Sequence, residues 1–399
     1  MMKKLEKEVF WMTHPAFGES IKILFDIDSK IPYENDFKDR KTDKKKIAIV
    51  YDRDGWAFCN IANEIKKNLS NEFDITIFPV SVFKDNPVQL ILLADQFDLV
   101  HCLWRGQLSG FDNEYVRGYI LNMGYTFEEF KEKFLDKVNV TTSVYDHKFL
   151  DDKSIDITKA FAKYAKNYTV SSTILKDIYD KLDIDKKPMA VISDGVDLQK
   201  FRPENLERFK IENLKNRKLK IGWVGNSKFT DSEGDNDLKG VRKIIKPALE
   251  ELIKEGYPIE IKFADRNEGY IPHDKMPDYY NSIDLYVCAS KNEGTPNPVL
   301  ESMATGVPII STDVGIVRDA FGEKQRNFIL KERTKEELKE KIQYLLENLN
   351  IVEELSKENL KEIQNWTWEN KCQQFKEFFE KNLWKWNIKF KKNMIMELI

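Results

Sequence analysis

Two successive series of short apolar runs, separated by stretches with helical spacing, constrain this chain more than any other feature. The first series starts at "KIAIVYD" (46–52), a β-branched run closed by a turn. "GWAFCNIANEIKKNLS" follows, with Phe58, Ile61, Ile65 and Leu69 on one helical face. "FDITIFPV" (73–80), "FDLVHCLW" (97–104), "VNVTTSV" (138–144), "NYTVSS" (167–172) and "MAVIS" (189–193) continue it. The second series runs through "LKIGWVGN" (219–226), a helix over "DLKGVRKIIKPALEELIKEG" (237–256), "IEIKFAD" (259–265), "DLYVCAS" (284–290) and "VPIIST" (307–312). Near-continuous apolar strands alternating with helices belong to parallel sheets covered on both faces. The expected fold is α/β, with two doubly wound, Rossmann-like domains, and 399 residues are in any case too many for one ordinary core. The rhythm breaks in the charged stretch "DGVDLQKFRPENLERFKIENLKNRKLK" (194–220). The expected division is an extension over 1–45, a first domain over 46–193, a crossing over 194–217, a second domain over 218–365, and a final helix with a basic tail over 366–399. Two such domains face each other across a cleft, with the carboxyl ends of their strands lining it.

Composition narrows the function classes. Sixty-four Lys and Arg against 67 Asp and Glu leave a net charge of −3, which gives no global electrostatic case for nucleic acid. Four scattered cysteines form no C-x-x-C pair, so neither a zinc site nor a disulfide framework is expected. "MMKKLEKEVFW" lacks the apolar centre of a signal peptide, and no run is long enough to span a bilayer. A cytoplasmic location is expected.

The chemistry concentrates in "KNEGTPNPVLESMATGVPIIST" (291–312). Asn297 reads as an N-cap, Pro298 as the first helical residue and Gly306 as the left-handed stop, so a short helix starts where a strand delivers the chain to the cleft. Its free amides and dipole favour phosphate. Glu301, one turn in, can accept hydrogen bonds from paired ribose hydroxyls, and Glu293, in the preceding loop, can hold a second set of hydroxyls across a diphosphate. The same punctuation also serves an ordinary strand-to-helix connection, and the bare pair of acids carries no weight in so acidic a chain.

The stretch "KNEGTPNPVLESMATGVPIISTDVGIVRD" resembles the signature of family 4 retaining glycosyltransferases, which have the GT-B fold. "SDGVDLQKFRP" (193–203) resembles that family's domain crossing, and "IGWVGN" with "LKGVRKIIKPALEEL" resembles the first strand and helix of its nucleotide domain. The resemblance covers most of residues 189 to 320 in order and spacing. It implies that Glu301 binds the donor ribose, that Glu293 contacts the donor sugar, and that the stretch Gly294, Thr295, Pro296 and Asn297 meets sugar and diphosphate through its amides. It further implies that Lys239 neutralises the diphosphate leaving group and that Gly55 lets the first loop approach it. The family often has Arg where this chain has Asn226, and Lys228 is the neighbour that can substitute. It also tends to place His where Tyr145 stands, which makes His147, two residues on, the candidate cleft group near the transferred sugar. His101, inside an apolar strand, reads as a satisfied core residue.

The expected function is transfer, with retention, of a hexose from a nucleoside-diphosphate sugar, UDP or GDP, to a saccharide, glycolipid or other glycoconjugate acceptor in surface polysaccharide synthesis. No cofactor and no metal are expected, since the Asp-x-Asp at Asp52 and Asp54 recurs elsewhere in the chain. A GT-B sugar-nucleotide epimerase and an inactive GT-B scaffold are the alternatives; Asn226 and Tyr145 favour the latter. The tail "WTWENKCQQFKEFFEKNLWKWNIKFKKNMIMELI" (366–399) has two readings: a helix packed back on the first domain up to about residue 385, and a basic aromatic segment in peripheral contact with a membrane.

Overall fold

The computed structural model describes residues 43–83, 86–152, 154–229 and 237–396, with side chains described up to residue 383. The expected N-terminal extension as far as residue 42, and the side chains of the basic aromatic tail from 384, therefore lie outside the described residues. Among the described residues no helix is long and apolar enough to cross a membrane.

Six strands form the first sheet: β1 (Lys46–Tyr51), β2 (Asp74–Pro79), β3 (Leu99–Cys102), β4 (Val140–Val144), β5 (Tyr168–Val170) and β6 (Ala190–Val191), in the order β2-β1-β3-β4-β5-β6. Five more form the second: β7 (Leu219–Gly225), β8 (Ile259–Asp265), β9 (Leu285–Cys288), β10 (Ile309–Thr312) and β11 (Ile329–Leu330), in the order β11-β10-β9-β7-β8. Every strand pairing in the two sheets is parallel. Both sheets thus share one winding, in which the first strand of the series lies between the second and the third. The chain moves outward one way from β1 and the other way from β3, so a crevice opens beside β1, and likewise between β7 and β9.

Period-2 alternation within β1 explains how one sheet serves two cores. Ala48 and Val50 face a cluster with Phe78, Phe111 and Phe130, while Ile47, Ile49 and Tyr51 face the other side. On that second side helix α1 (Ala57–Leu69) supplies Ile61, Ile65 and Leu69. The last helix in the chain shares this side: α5 (Trp368–Met396) crosses back from the second domain and contributes Trp368, Cys372, Phe375 and Phe379. The crossing segment fits beneath it closely. A Cβ on Gly195 would lie 2.6 Å from the backbone nitrogen of Trp368, and the Val196 amide donates to the Trp366 carbonyl at 2.8 Å.

His101 in β3 is a satisfied core residue. It is fully buried, its ring nitrogens lie 3.0 Å from the Thr141 and Ser143 hydroxyls, and the rings of Phe375, Phe378 and Phe379 surround it. Burial pushes its pKa down to about 3. The unfolded chain, with an ordinary histidine near 6.5, therefore binds one more proton than the folded chain between those values, and stability rises with pH across that window. The expected result is a loss approaching about 1.4 kcal/mol per pH unit below 6.5 from this group alone. His101→Asn should reduce the slope of unfolding free energy against pH between 4 and 6.5 by about one proton, measured by urea titration at each pH.

Candidate active site

The site grows from the crevice between β7 and β9. Past β7 the chain returns to the sheet edge at Lys239 and Gly240. Gly240 has φ +72°, and a Cβ there would lie 2.4 Å from the Ala289 carbonyl oxygen, so glycine alone lets this loop lie against the loop that leaves β9. The Lys291 amide donates to the Leu238 carbonyl at 2.8 Å, and Arg333 donates to the carbonyls of Ala289 and Asp237, tying the two loops together. This clamp delivers Lys239 to Glu293: the ammonium pairs with Glu293 Oε1, which also accepts from the Ser290 hydroxyl at 2.7 Å. Both side chains remain partly open to solvent.

Beyond Glu293 comes helix α4 (Asn297–Ala304), ended as expected by Gly306 at φ +75°. Its start differs from the expectation. Asn297 is the first helical residue rather than the N-cap; the N-cap position falls on Pro296, and no side chain caps the helix. The physical reason is that the Pro296 carbonyl already takes the Val299 amide at 2.8 Å, so the turn closes one residue early. Pro296 and Pro298 have no N–H to satisfy. The amides of Gly294, Thr295 and Asn297 find no acceptor among the described residues, and they form the uncapped, electropositive edge of the site. One turn in, Glu301 accepts from the Tyr280 hydroxyl at 2.6 Å, and His273 Nε2 lies 3.5 Å from its other oxygen.

The first domain meets this edge directly. A Cβ on Gly294 would lie 1.7 Å from the Tyr145 carbonyl oxygen, so the absence of a side chain is what permits contact across the cleft. Tyr145 itself is buried and stacks at 5.3 Å on Phe58, a packing residue rather than a cleft group. His147, by contrast, reaches the site. Burial lowers its pKa, against the pull of the Glu293 carbonyl and the Asp146 carboxylate, and its Nε2 is buried with no protein partner among the described residues. A neutral imidazole with a buried, unpartnered ring nitrogen beside Glu293 has one hydrogen-bonding position left unfilled by the protein.

Beneath His147 stands Arg105, 1% exposed, which donates to Asp146 Oδ1 at 2.7 Å and to the Lys148 carbonyl at 2.8 Å. Burial opposes the Asp146 charge, but the neighbouring guanidinium and the Lys148 amide hold its pKa below the usual carboxylate range. Arg105 holds the 146–148 turn in place and sequence reasoning missed it. The available signal was an arginine placed directly after an apolar strand run.

The remaining candidates make no hydrogen bond to this cluster among the described residues, although the centre of the Phe229 ring, in the turn after β7, lies 5.7 Å from the Lys239 ammonium. Gly55, at φ +73°, occupies the turn after β1 with open space where a Cβ would project. Asn226 Oδ1 accepts from Asn267 at 2.7 Å and from the Lys228 amide at 3.0 Å, and the Lys228 side chain is exposed. Both therefore belong to the turn after β7, bound locally rather than to Glu293 or Lys239.

Residues 262–362 match the family described as Glycosyl transferases group 1. A lipopolysaccharide core biosynthesis mannosyltransferase of Rhizobium meliloti (strain 1021) is 32% identical over 154 residues, 34% of this chain and 42% of that protein. The chain spans less than half the length of the first curated relatives it matches. Among solved structures, sucrose-phosphate synthase of Thermosynechococcus elongatus superposes with a TM-score of 0.58 at 14% identity, covering 85% of this chain and 99% of that one. HepE of Anabaena, in complex with UDP and glucose, superposes at 0.57 with 13% identity, covering 84% and 100%. At such identities these likenesses establish the fold, and the fold is GT-B.

Proposed function

We propose that this chain, a GT-B protein with a Glycosyl transferases group 1 domain in its second half, transfers a sugar from a nucleoside diphosphate to a saccharide or glycolipid acceptor with retention of configuration. One observation carries the reading. The Lys239–Glu293 pair and the three unsatisfied amides of Gly294, Thr295 and Asn297 converge where the carboxyl edges of the two sheets meet. When the bond from the anomeric carbon to the diphosphate oxygen breaks, negative charge grows on the diphosphate. Fixed amides and an ammonium already held in place stabilise it without reorganising. In this reading Glu301 takes the ribose and His147 a hydroxyl of the transferred sugar; the unpartnered Nε2 of His147 supports the second role. The acceptor hydroxyl approaches the anomeric carbon from the same face the diphosphate leaves, which preserves configuration, and its proton passes to the departing diphosphate oxygen.

UDP is the favoured donor nucleotide, because a GT-B relative of the same overall shape was crystallised with UDP and glucose, and GDP is second. The likeness to a lipopolysaccharide core biosynthesis mannosyltransferase supports a place in surface polysaccharide synthesis. Direct binding is the test. UDP at a hundredfold excess over its dissociation constant should stabilise the wild type by about 2.7 kcal/mol. Glu301→Ala should lose most of that gain, read as a thermal shift across UDP, GDP, ADP and CMP. Absence of any shift in the wild type would overturn the enzyme reading in favour of an inactive scaffold.

A further inference from the structure

Among the described residues Trp223, Trp366 and Trp368 are buried, whereas Trp56 and Trp104 are 54% and 36% exposed. A single exposed tryptophan needs no explanation, but these two share one place in the fold. Trp56 ends the turn after β1 and takes the N-cap position of α1. Trp104 leaves β3 directly: the Leu103 amide before it donates to the Val50 carbonyl at 2.8 Å, so its backbone stands level with the end of β1. Arg105, after it, holds the turn that carries His147, and the Tyr145 carbonyl at the start of that turn abuts Gly294. Strands β1, β3 and β4 are neighbours in the sheet. Trp56, Trp104 and the His147 turn therefore follow one another along a single carboxyl edge, the edge that the loop of Glu293 and Gly294 meets.

Both rings have support from the protein. The Trp104 indole lies over Gly106, where a Cβ would come within 2.4 Å of the ring, so only glycine leaves that room. The Arg53 guanidinium stacks 4.6 Å from the centre of the Trp56 ring. Two carboxylates stand in the same turn. Asp54 accepts from the Tyr51 hydroxyl at 2.6 Å and Asp52 from the Arg53 amide at 2.6 Å, and each keeps lone pairs for further donors. A pyranose ring has an apolar face of C–H groups and a rim of hydroxyls. The face stacks on the electron-rich surface of an indole, and the rim bonds to carboxylates. A lipid chain would gain from the indoles alone and would leave the carboxylates without donors. We propose that Trp56 and Trp104 form the acceptor platform and select a saccharide: its pyranose rings lie on the two indoles, with hydroxyls turned to Asp52 and Asp54 and its reacting end toward the His147 turn.

The inference rests on the transfer reading above, and the test separates the two. Binding of tetraoses of β-glucan, α-glucan, mannan and chitin is measured on the full chain by saturation-transfer NMR and titration, with UDP as a separate ligand. The wild type should bind at least one tetraose. Trp56→Leu and Trp104→Leu keep apolar bulk but lose the aromatic face. Each should weaken that tetraose by about three- to tenfold and change UDP affinity by less than about twofold. Trp104→Tyr, which retains a ring, should stay within about twofold of wild type. Trp56→Leu, at the more exposed position, carries the test if Trp104→Leu does not fold. No tetraose bound by the wild type, or wild-type affinity in either leucine variant, overturns the proposal. An equal loss of UDP affinity overturns it as well, by making the rings structural. Capture by vesicles of phosphatidylethanolamine and phosphatidylglycerol that both leucine variants abolish would assign the rings to a membrane instead. Tryptophan-dependent tetraose binding without any binding of UDP would remove the donor reading and leave the platform standing.

Discussion

Lys239→Ala lowers the turnover number for sugar transfer by about a hundred- to a thousandfold, while the Michaelis constant for the donor changes by less than about tenfold. The asymmetry follows from when the charge is needed. On the proposed reading, the amides hold the donor's diphosphate in the ground state and Glu301 holds its ribose. The extra negative charge on the leaving oxygen exists only as the bond breaks, and Lys239 answers that charge. Its ammonium is held beforehand by Glu293, which Ser290 in turn orients, so no reorganisation precedes the chemistry. Steady-state kinetics on the donor, with released nucleoside diphosphate as the readout, checks the split. A variant that raised the Michaelis constant and left turnover unchanged would assign Lys239 to ground-state binding instead.

Arg105→Ala destabilises the folded chain by about 3 kcal/mol, the lower end of what breaking a buried ion pair costs. The lower end applies because Asp146 keeps about a third of its side chain in contact with water, so its unpaired charge is partly solvated. Arg105 itself is almost wholly enclosed, lying against the rings of Phe149 and Phe161, and its removal also opens a cavity under the His147 turn. Urea unfolding measures the loss. Arg105→Met with Asp146→Asn, which fills the space and removes the stranded charge, should recover part of it. If the double variant were no more stable than the single, packing rather than charge would be the main contribution of Arg105.

Much of this architecture is legible in the sequence because it is local. "KIAIVYD" and "LKIGWVGN" form β1 and β7 because β-branched, apolar residues fit a sheet buried on both faces, and Gly306 stops α4 because glycine takes positive φ without cost. The loop that carries Glu293 and the helix that carries Glu301 were also readable from local punctuation, whereas Lys239, 54 positions from Glu293, was picked out only by the resemblance to family 4 glycosyltransferases. His101 was legible as core from the apolar run around it. The N-cap at Asn297 was misplaced by one residue because the Pro296 carbonyl already takes the Val299 amide, a backbone choice that the residue types alone do not fix.

By itself, then, the sequence determined the two parallel sheets, the crossing between them and the loop that carries the carboxylates, through periodicity and backbone preference acting over a few residues at a time. Only the tertiary structure decided that Gly294 meets Tyr145, that Arg105 pairs with Asp146 41 positions on, and that the Asp194 amide faces the Thr295 hydroxyl from another part of the chain. Those contacts join groups whose separation is set by how the sheets and α5 pack, and no local preference encodes a distance across a cleft. Burial then gives each of them its weight, because a charge or an amide withdrawn from water must find its partner in the fold.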